Sequence, residues 1–231
     1  MSIAEKLATI AENEQRVFDA GKQAEYDAFW DVFQNNGNRE EYQYAFAYGG
    51  KWTAATFRPK YKLYPTTASS MFREQTQLNL TECAVEVDFS RCTNFNYTFM
   101  SGCPKIGVVD ASAASDLNQT FSYYFVTSIE KLIVHEGLSF TSTFIQATYL
   151  EDIVIEGTIA KTISFAQSKK LTLESAKSII TALKDFTGTG KEFTTTVTLH
   201  ADVWALLDAD GATSPTGTTW REYVGEKCWN S

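Results

Sequence analysis

The chain has 231 residues and a mass of 25.8 kDa, long enough to remove roughly 70% of its unfolded surface from water. Its 20 Lys and Arg against 28 Asp and Glu give a net charge of −8 and a pI near 4.9, which excludes the basic footprint a nucleic-acid binder needs. Hydrophobic residues make up 44%, which excludes disorder, and no apolar run approaches the ~18–20 residues of a bilayer span, so no membrane insertion is expected.

Residues 2–35 read as a helical hairpin. Ile3, Leu7, Ile10, Val17 and Phe18 fall near one face, Ser2 with Glu5 fits a capping box, and Gly21 marks a break. Tyr26, Phe29, Trp30 and Phe33 then recur at helical spacing. This hairpin is the expected surface for a homo-oligomer or assembly partner. Tyr42, Tyr44, Phe46, Tyr48 and Trp52 follow, the first four at every second position, as in a strand with one aromatic face. That face is either a platform for stacking sugars or an aromatic layer packed against the helices. Arg58-Pro59 and Tyr64-Pro65 close this first segment, 1–65.

Residues 66–173 carry an internal repeat. Phe72, Phe99, Phe121, Phe144 and Phe165 follow one another at steps of 27, 22, 23 and 21 residues. In the middle copies an aliphatic opens a short strand: Ile106-x-x-Val109-x-Ala111, Ile129-x-x-Leu132-x-Val134 and Leu150-x-x-Ile153-x-Ile155. Units this small cannot bury their own apolar faces, so they are expected to stack and share a core. Aligning the three strands places Asp110, Ile133 and Val154 in one outward column, and His135 and Glu156 in the next. These five are the candidate binding residues.

The run Cys92-Thr93-Asn94-Phe95-Asn96-Tyr97-Thr98-Phe99-Met100-Ser101-Gly102-Cys103-Pro104-Lys105-Ile106, with Ser69-Ser70-Met71-Phe72, resembles the BspA-like leucine-rich repeat. The other copies depart from it in lacking a cysteine at the position of Cys103. The resemblance implies an α+β chain built on a short right-handed solenoid of about five units, used for surface recognition, with no catalytic residues.

Residues 174–231 read as a C-terminal α/β cap. Glu174–Phe186 is expected as a helix, 193–199 as a strand, and Asp202–Leu207 and Thr219–Trp229 as short helices. The order of this segment, and the opening phrase Glu25-Tyr26-Asp27-Ala28-Phe29-Trp30-Asp31-Val32-Phe33-Gln34, resemble proteins encoded among phage and prophage structural genes.

No catalytic constellation assembles. The chain has two histidines, His135 and His200, and neither has a nucleophile beside it. Asp208-Ala209-Asp210-Gly211 resembles the start of a calcium loop but lacks the acid at its twelfth position. Cys83, Cys92, Cys103 and Cys228 contain no C-x2-C pair, so no metal or cofactor is expected; four free thiols are expected, with a Cys92–Cys103 bridge as the alternative. The opening residues lack an apolar h-region, so synthesis in the cytoplasm is expected, with incorporation into a virion. The expectation is therefore a non-enzymatic, tail-associated recognition module binding a protein or glycan. A cell-surface adhesin is the alternative, and a glycan-acting enzyme would need a carboxylate pair that the sequence does not single out.

Overall fold

The computed structural model describes residues 24, 42, 45–47, 52–59, 62–191, 193–211 and 213–231. The expected hairpin at 2–35 lies outside the described residues, save Ala24. Among the described residues the chain is α+β, with two separate three-stranded parallel sheets and three α-helices. The first sheet has the order β1 (Lys105–Asp110), β2 (Ser128–Val134), β3 (Asp152–Gly157). The second has the order β4 (Ile163–Phe165), β5 (Thr195–Leu199), β6 (Trp229–Asn230). The helices are α1 (Leu173–Thr181), α2 (Ala201–Asp210) and α3 (Trp220–Glu226).

This arrangement corrects the expected leucine-rich-repeat solenoid, in which one narrow sheet runs through five units. Three physical features set the difference. Residues 63–94 contribute isolated bridges, Leu63 to Val87 and Thr67 to Asn94, with a 3-10 turn at Leu80–Glu82 in place of a strand. The third strand pairs out of the aligned register: Ile153 lies opposite Ile129 and Ile155 opposite Leu132, with an irregularity between the two pairs. Beyond β3 the first sheet stops. Ser175 Oγ of α1 accepts the Ile153 N–H at 3.0 Å, and Ser178 Oγ accepts the Ile155 N–H at 2.8 Å. A helix thus supplies the acceptors a further strand would have supplied. The chain leaves β3 through Gly157, at φ +106°, where a Cβ would stand 2.0 Å from the Val134 carbonyl oxygen. β4 then pairs with β5 instead.

Behind the first sheet the phased phenylalanines form a column. Successive ring centroids are 5.6 Å apart for Phe46–Phe72, 5.7 Å for Phe72–Phe99, 5.6 Å for Phe99–Phe121, 5.5 Å for Phe121–Phe144 and 4.3 Å for Phe144–Phe165, all stacked. Burying each ring contributes about 1.5–3 kcal/mol, and each stack adds about 0.5–1.5 kcal/mol. The residue before three of these rings is a buried threonine whose hydroxyl holds a carbonyl of a preceding turn. Thr98 Oγ1 donates to Ala68 O at 2.9 Å, Thr120 Oγ1 to Phe95 O at 3.0 Å, and Thr143 Oγ1 to Leu117 O at 2.9 Å. The Thr-Phe dipeptide therefore combines a polar tie with an apolar filler.

The backbone around each ring repeats as well. Ser70, Tyr97, Gln119 and Ser142, two residues before a Phe, adopt left-handed φ of 51–61°, and Glu74, Ser101, Tyr123 and Gln146, two residues after, adopt 55–68°. Each such conformation costs a non-glycine residue about 1–2 kcal/mol. It lets alternate N–H groups bond to the next turn: Gln119 N to Thr141 O at 3.3 Å, Phe121 N to Thr143 O at 3.0 Å, Tyr123 N to Ile145 O at 2.7 Å. Those bonds and the stacked ring offset the strain.

The C-terminal part is knit differently. α1 is capped by Thr172, whose hydroxyl accepts the Ser175 N–H, and buries Ala176, Ile179 and Ile180. It ends at Thr181, short of the expected Phe186, and Lys227 Nζ donates to the Thr181 and Leu183 carbonyls left free there, at 3.0 and 2.7 Å. Leu183 instead bridges Ile159, and Phe186 stacks on Trp229 at 5.7 Å. α3 opens with a capping box between Thr219 and Glu222. The buried apolar residues form one cluster from Tyr42 to Trp229. Among the described residues no helix is long and apolar enough to cross a membrane.

Candidate functional site

The first sheet turns one face to the core and one to solvent. Ile106, Val109, Ile129, Leu132, Ile153 and Ile155 point inward and are buried. Parallel pairing places Val108 beside Lys131, and Asp110, Ile133 and Glu156 in one row. This corrects the aligned columns. Ile133 is flanked by two carboxylates rather than by Val154, because the irregularity in β2 moves Glu156 into the place assigned to Val154. Val154 sits over the irregular stretch between Ile129 and Leu132. Val108 and Val154 are 49% and 51% exposed, unusual for aliphatics on regular strands, whereas Ile133 is half-buried.

Charged groups stand beside the valines, with Lys131 of β2 between the two outer strands that carry them. Lys131 Nζ lies 2.6 Å from Glu156 Oε2 across β2 and β3, and Lys105, Glu130 and Asp152 are exposed nearby. Asp110 Oδ1 accepts the Ser112 N–H at 2.9 Å, which bends the chain out of β1. His135 is half-buried and committed to the loops below the sheet. Its Nδ1 accepts the Gly137 N–H at 3.1 Å, so Nε2 carries the proton and donates to Ala114 O at 2.7 Å. Four of the five predicted residues thus lie on one face, and His135 is a structural tie at its end. Val108 and Lys131 belong to the face and were missed. Their signal was present, since Val108 falls between the inward residues Ile106 and Val109.

Comparison with protein-family models, curated proteins and solved structures returns no match.

The aromatic platform expected at 42–52 is corrected where it is described. Tyr42, Phe46 and Trp52 are buried, and Phe46 meets Trp52 edge to face at 5.9 Å and stacks on Phe72. Tyr44 and Tyr48 lie outside the described residues. The acids of the calcium-like phrase face protein donors. Arg221 Nε is 3.0 Å from Asp208 Oδ1. Asp210 accepts from Thr213, from Trp220 Nε1 at 3.0 Å and from Lys177, whose Nζ is 3.1 Å from Oδ2. Those hydrogen bonds, Thr213 and Trp220 foremost, hold the Asp210 carboxyl down at about 2. His200 Nδ1 accepts the Asp202 N–H at 3.1 Å as the cap of α2, so the two form a helix start rather than a catalytic pair.

All four cysteines are free thiols, and the alternative Cys92–Cys103 bridge does not form. Burial, aided by Glu82 at Cys83, pushes the Cys83 thiol up to about 11, and burial does the same for Cys92. Cys103 is raised well above its ordinary value by full burial. Groups held this firmly as thiols are poor nucleophiles at neutral pH.

Proposed function

We propose that this chain is a non-enzymatic recognition module that engages a protein surface through the outer face of β1, β2 and β3. The observation that carries the reading is the pair of exposed valines, Val108 and Val154, set among Lys105, Glu130, Lys131, Asp152 and Glu156. Two exposed apolar side chains on either side of Lys131 give a partner surface to desolvate, and the charged neighbours select that partner. The resemblance of the opening and closing phrases to phage and prophage structural proteins supports a virion component that contacts its host.

The test is a Val108→Asp, Val154→Asp double variant. Both side chains are exposed, so its melting transition is expected to match the parent. Binding to whole bacterial cells, and to their surface proteins displayed on a membrane blot, is expected to be lost. Undiminished binding by a folded double variant sinks this reading.

A further inference from the structure

A second concavity lies away from the β1–β3 face, beside the last rings of the phenylalanine column. Two exposed tyrosines form its aromatic wall. Tyr124 and Tyr149 meet edge to face, with centroids 6.4 Å apart and planes at 75°, and each is about half exposed, at 48% and 47%. The backbone presents them: Tyr123 and Phe125 on either side of Tyr124 adopt φ of 68° and 87°, which turns the loop outward. Lys170 Nζ lies 4.9 Å over the Tyr149 ring and 3.1 Å from Glu151 Oε1, fixing that ring from one side.

The rest of the lining is donor-rich. Gln167 Oε1 accepts the Gln146 N–H at 2.6 Å, which leaves the Gln167 amide nitrogen free to donate. His200 Nδ1 is occupied by the Asp202 N–H, so its proton resides on Nε2. Lys169 lines the same space, and among the described residues the carboxylates stand behind the lining, Glu151 on Lys170 at 3.1 Å and Asp202 by His200 at 3.5 Å. The concavity measures about 580 Å³ and is open to solvent, within the roughly 300–1,000 Å³ of small-ligand sites.

Each ligand class meets these walls differently. A cation meets the Lys169 and Lys170 ammonium groups, and a purely apolar molecule leaves the amide, imidazole and ammonium donors without acceptors. A sugar satisfies both walls: the C–H face of a pyranose lies on tyrosine, and its hydroxyls accept from the amide and imidazole. A carboxylate on the sugar matches the exposed Lys169 ammonium. We propose that the Tyr124–Tyr149 cleft binds a carboxylate-bearing oligosaccharide, of the uronic or sialic acid type. The site shares no residue with the β1–β3 face, so the two readings stand or fall separately.

The experiment uses the whole chain, titrated with tetragalacturonate, a hyaluronan tetrasaccharide and sialyllactose, with neutral maltotetraose and an oligothymidylate as counter-probes. Calorimetry and saturation-transfer NMR read binding. At least one acidic sugar is expected to bind, with transfer to its ring protons. Tyr149→Ala is expected to weaken that binding by about tenfold or more, the loss of one stacking contact and its buried area. Gln167→Ala and Lys169→Met, at an exposed amide and an exposed ammonium, are expected to weaken it severalfold, and Val108→Asp with Val154→Asp to leave it unchanged. Absence of binding by all three acidic sugars overturns the proposal. So does binding unaffected by both Tyr149→Ala and Gln167→Ala, equal binding of maltotetraose, or tighter binding of the oligothymidylate.

Discussion

The stretch from Phe72 to Phe165 and the stretch from Leu173 to the end of the chain bury their side chains by different means. The first solves one packing problem several times: a threonine ties a carbonyl, a ring stacks on its neighbour, and two left-handed residues set the turn. The second solves many problems once each: a lysine caps α1, Trp229 closes on Phe186, and Arg221 lies 4.3 Å over Trp204 while holding Asp208. A repeated solution writes a period into the sequence. A set of single solutions does not, and its contacts emerge only when the chain is folded.

The largest expected effect that separates the two lies in the column. Phe121→Ala removes a ring stacked on both sides, at 5.6 Å and 5.5 Å, and is expected to cost about 3–5 kcal/mol in chemical denaturation. A cost below about 1 kcal/mol would mean that neighbouring turns close the gap and that the column is not cooperative. Next comes the junction. Ser175→Ala deprives the Ile153 N–H of its acceptor beneath α1 and is expected to cost about 1–3 kcal/mol, whereas Ser175→Thr, which keeps the hydroxyl, should recover part of it. Equal losses in both variants would show that crowding, not the hydrogen bond, sets the effect.

The smallest effect belongs to the C-terminal part and depends on pH. The folded Asp210 carboxyl, at about 2, lies below its ordinary value of 3.8. Its contribution to stability is therefore fully present above the ordinary value and is lost as the pH falls through the folded one. Asp210→Asn should accordingly be less stable than the parent at neutral pH, and the difference should shrink on acidification toward pH 2. A difference that stays constant with pH would assign the role of Asp210 to shape rather than charge.

Much of the column was legible because its period is carried by a large, unambiguous residue. The inward aliphatics of β1 and β2 were legible for the same reason. What misled was the step from period to architecture. Leu150-x-x-Ile153-x-Ile155 copies the pattern of the two preceding strands, yet the sheet selects Ile153 and Ile155 as partners for Ile129 and Leu132. One irregularity in β2 decides this, and a pattern of apolar residues does not record where a strand bulges. The end of the sheet was hidden too, because serines inside an amphipathic helix read as neutral spacing until their hydroxyls are seen on the N–H groups of β3. Asp110, Ile133, Val154 and Glu156 of the candidate face were visible as outward residues, and Val108 and Lys131 were not singled out. The Tyr124–Tyr149 cleft was not visible, since its two aromatics are brought together by left-handed turns at Tyr123 and Gln146, residues whose type does not announce that conformation.

The two serines of α1 also decide how large the object can grow. A parallel sheet whose last strand offers free N–H groups is a template for another chain, and at high concentration such chains join without limit. By occupying the Ile153 and Ile155 N–H groups from within the same molecule, Ser175 and Ser178 end that growth at β3. On that side, two hydroxyl groups close the edge of the sheet.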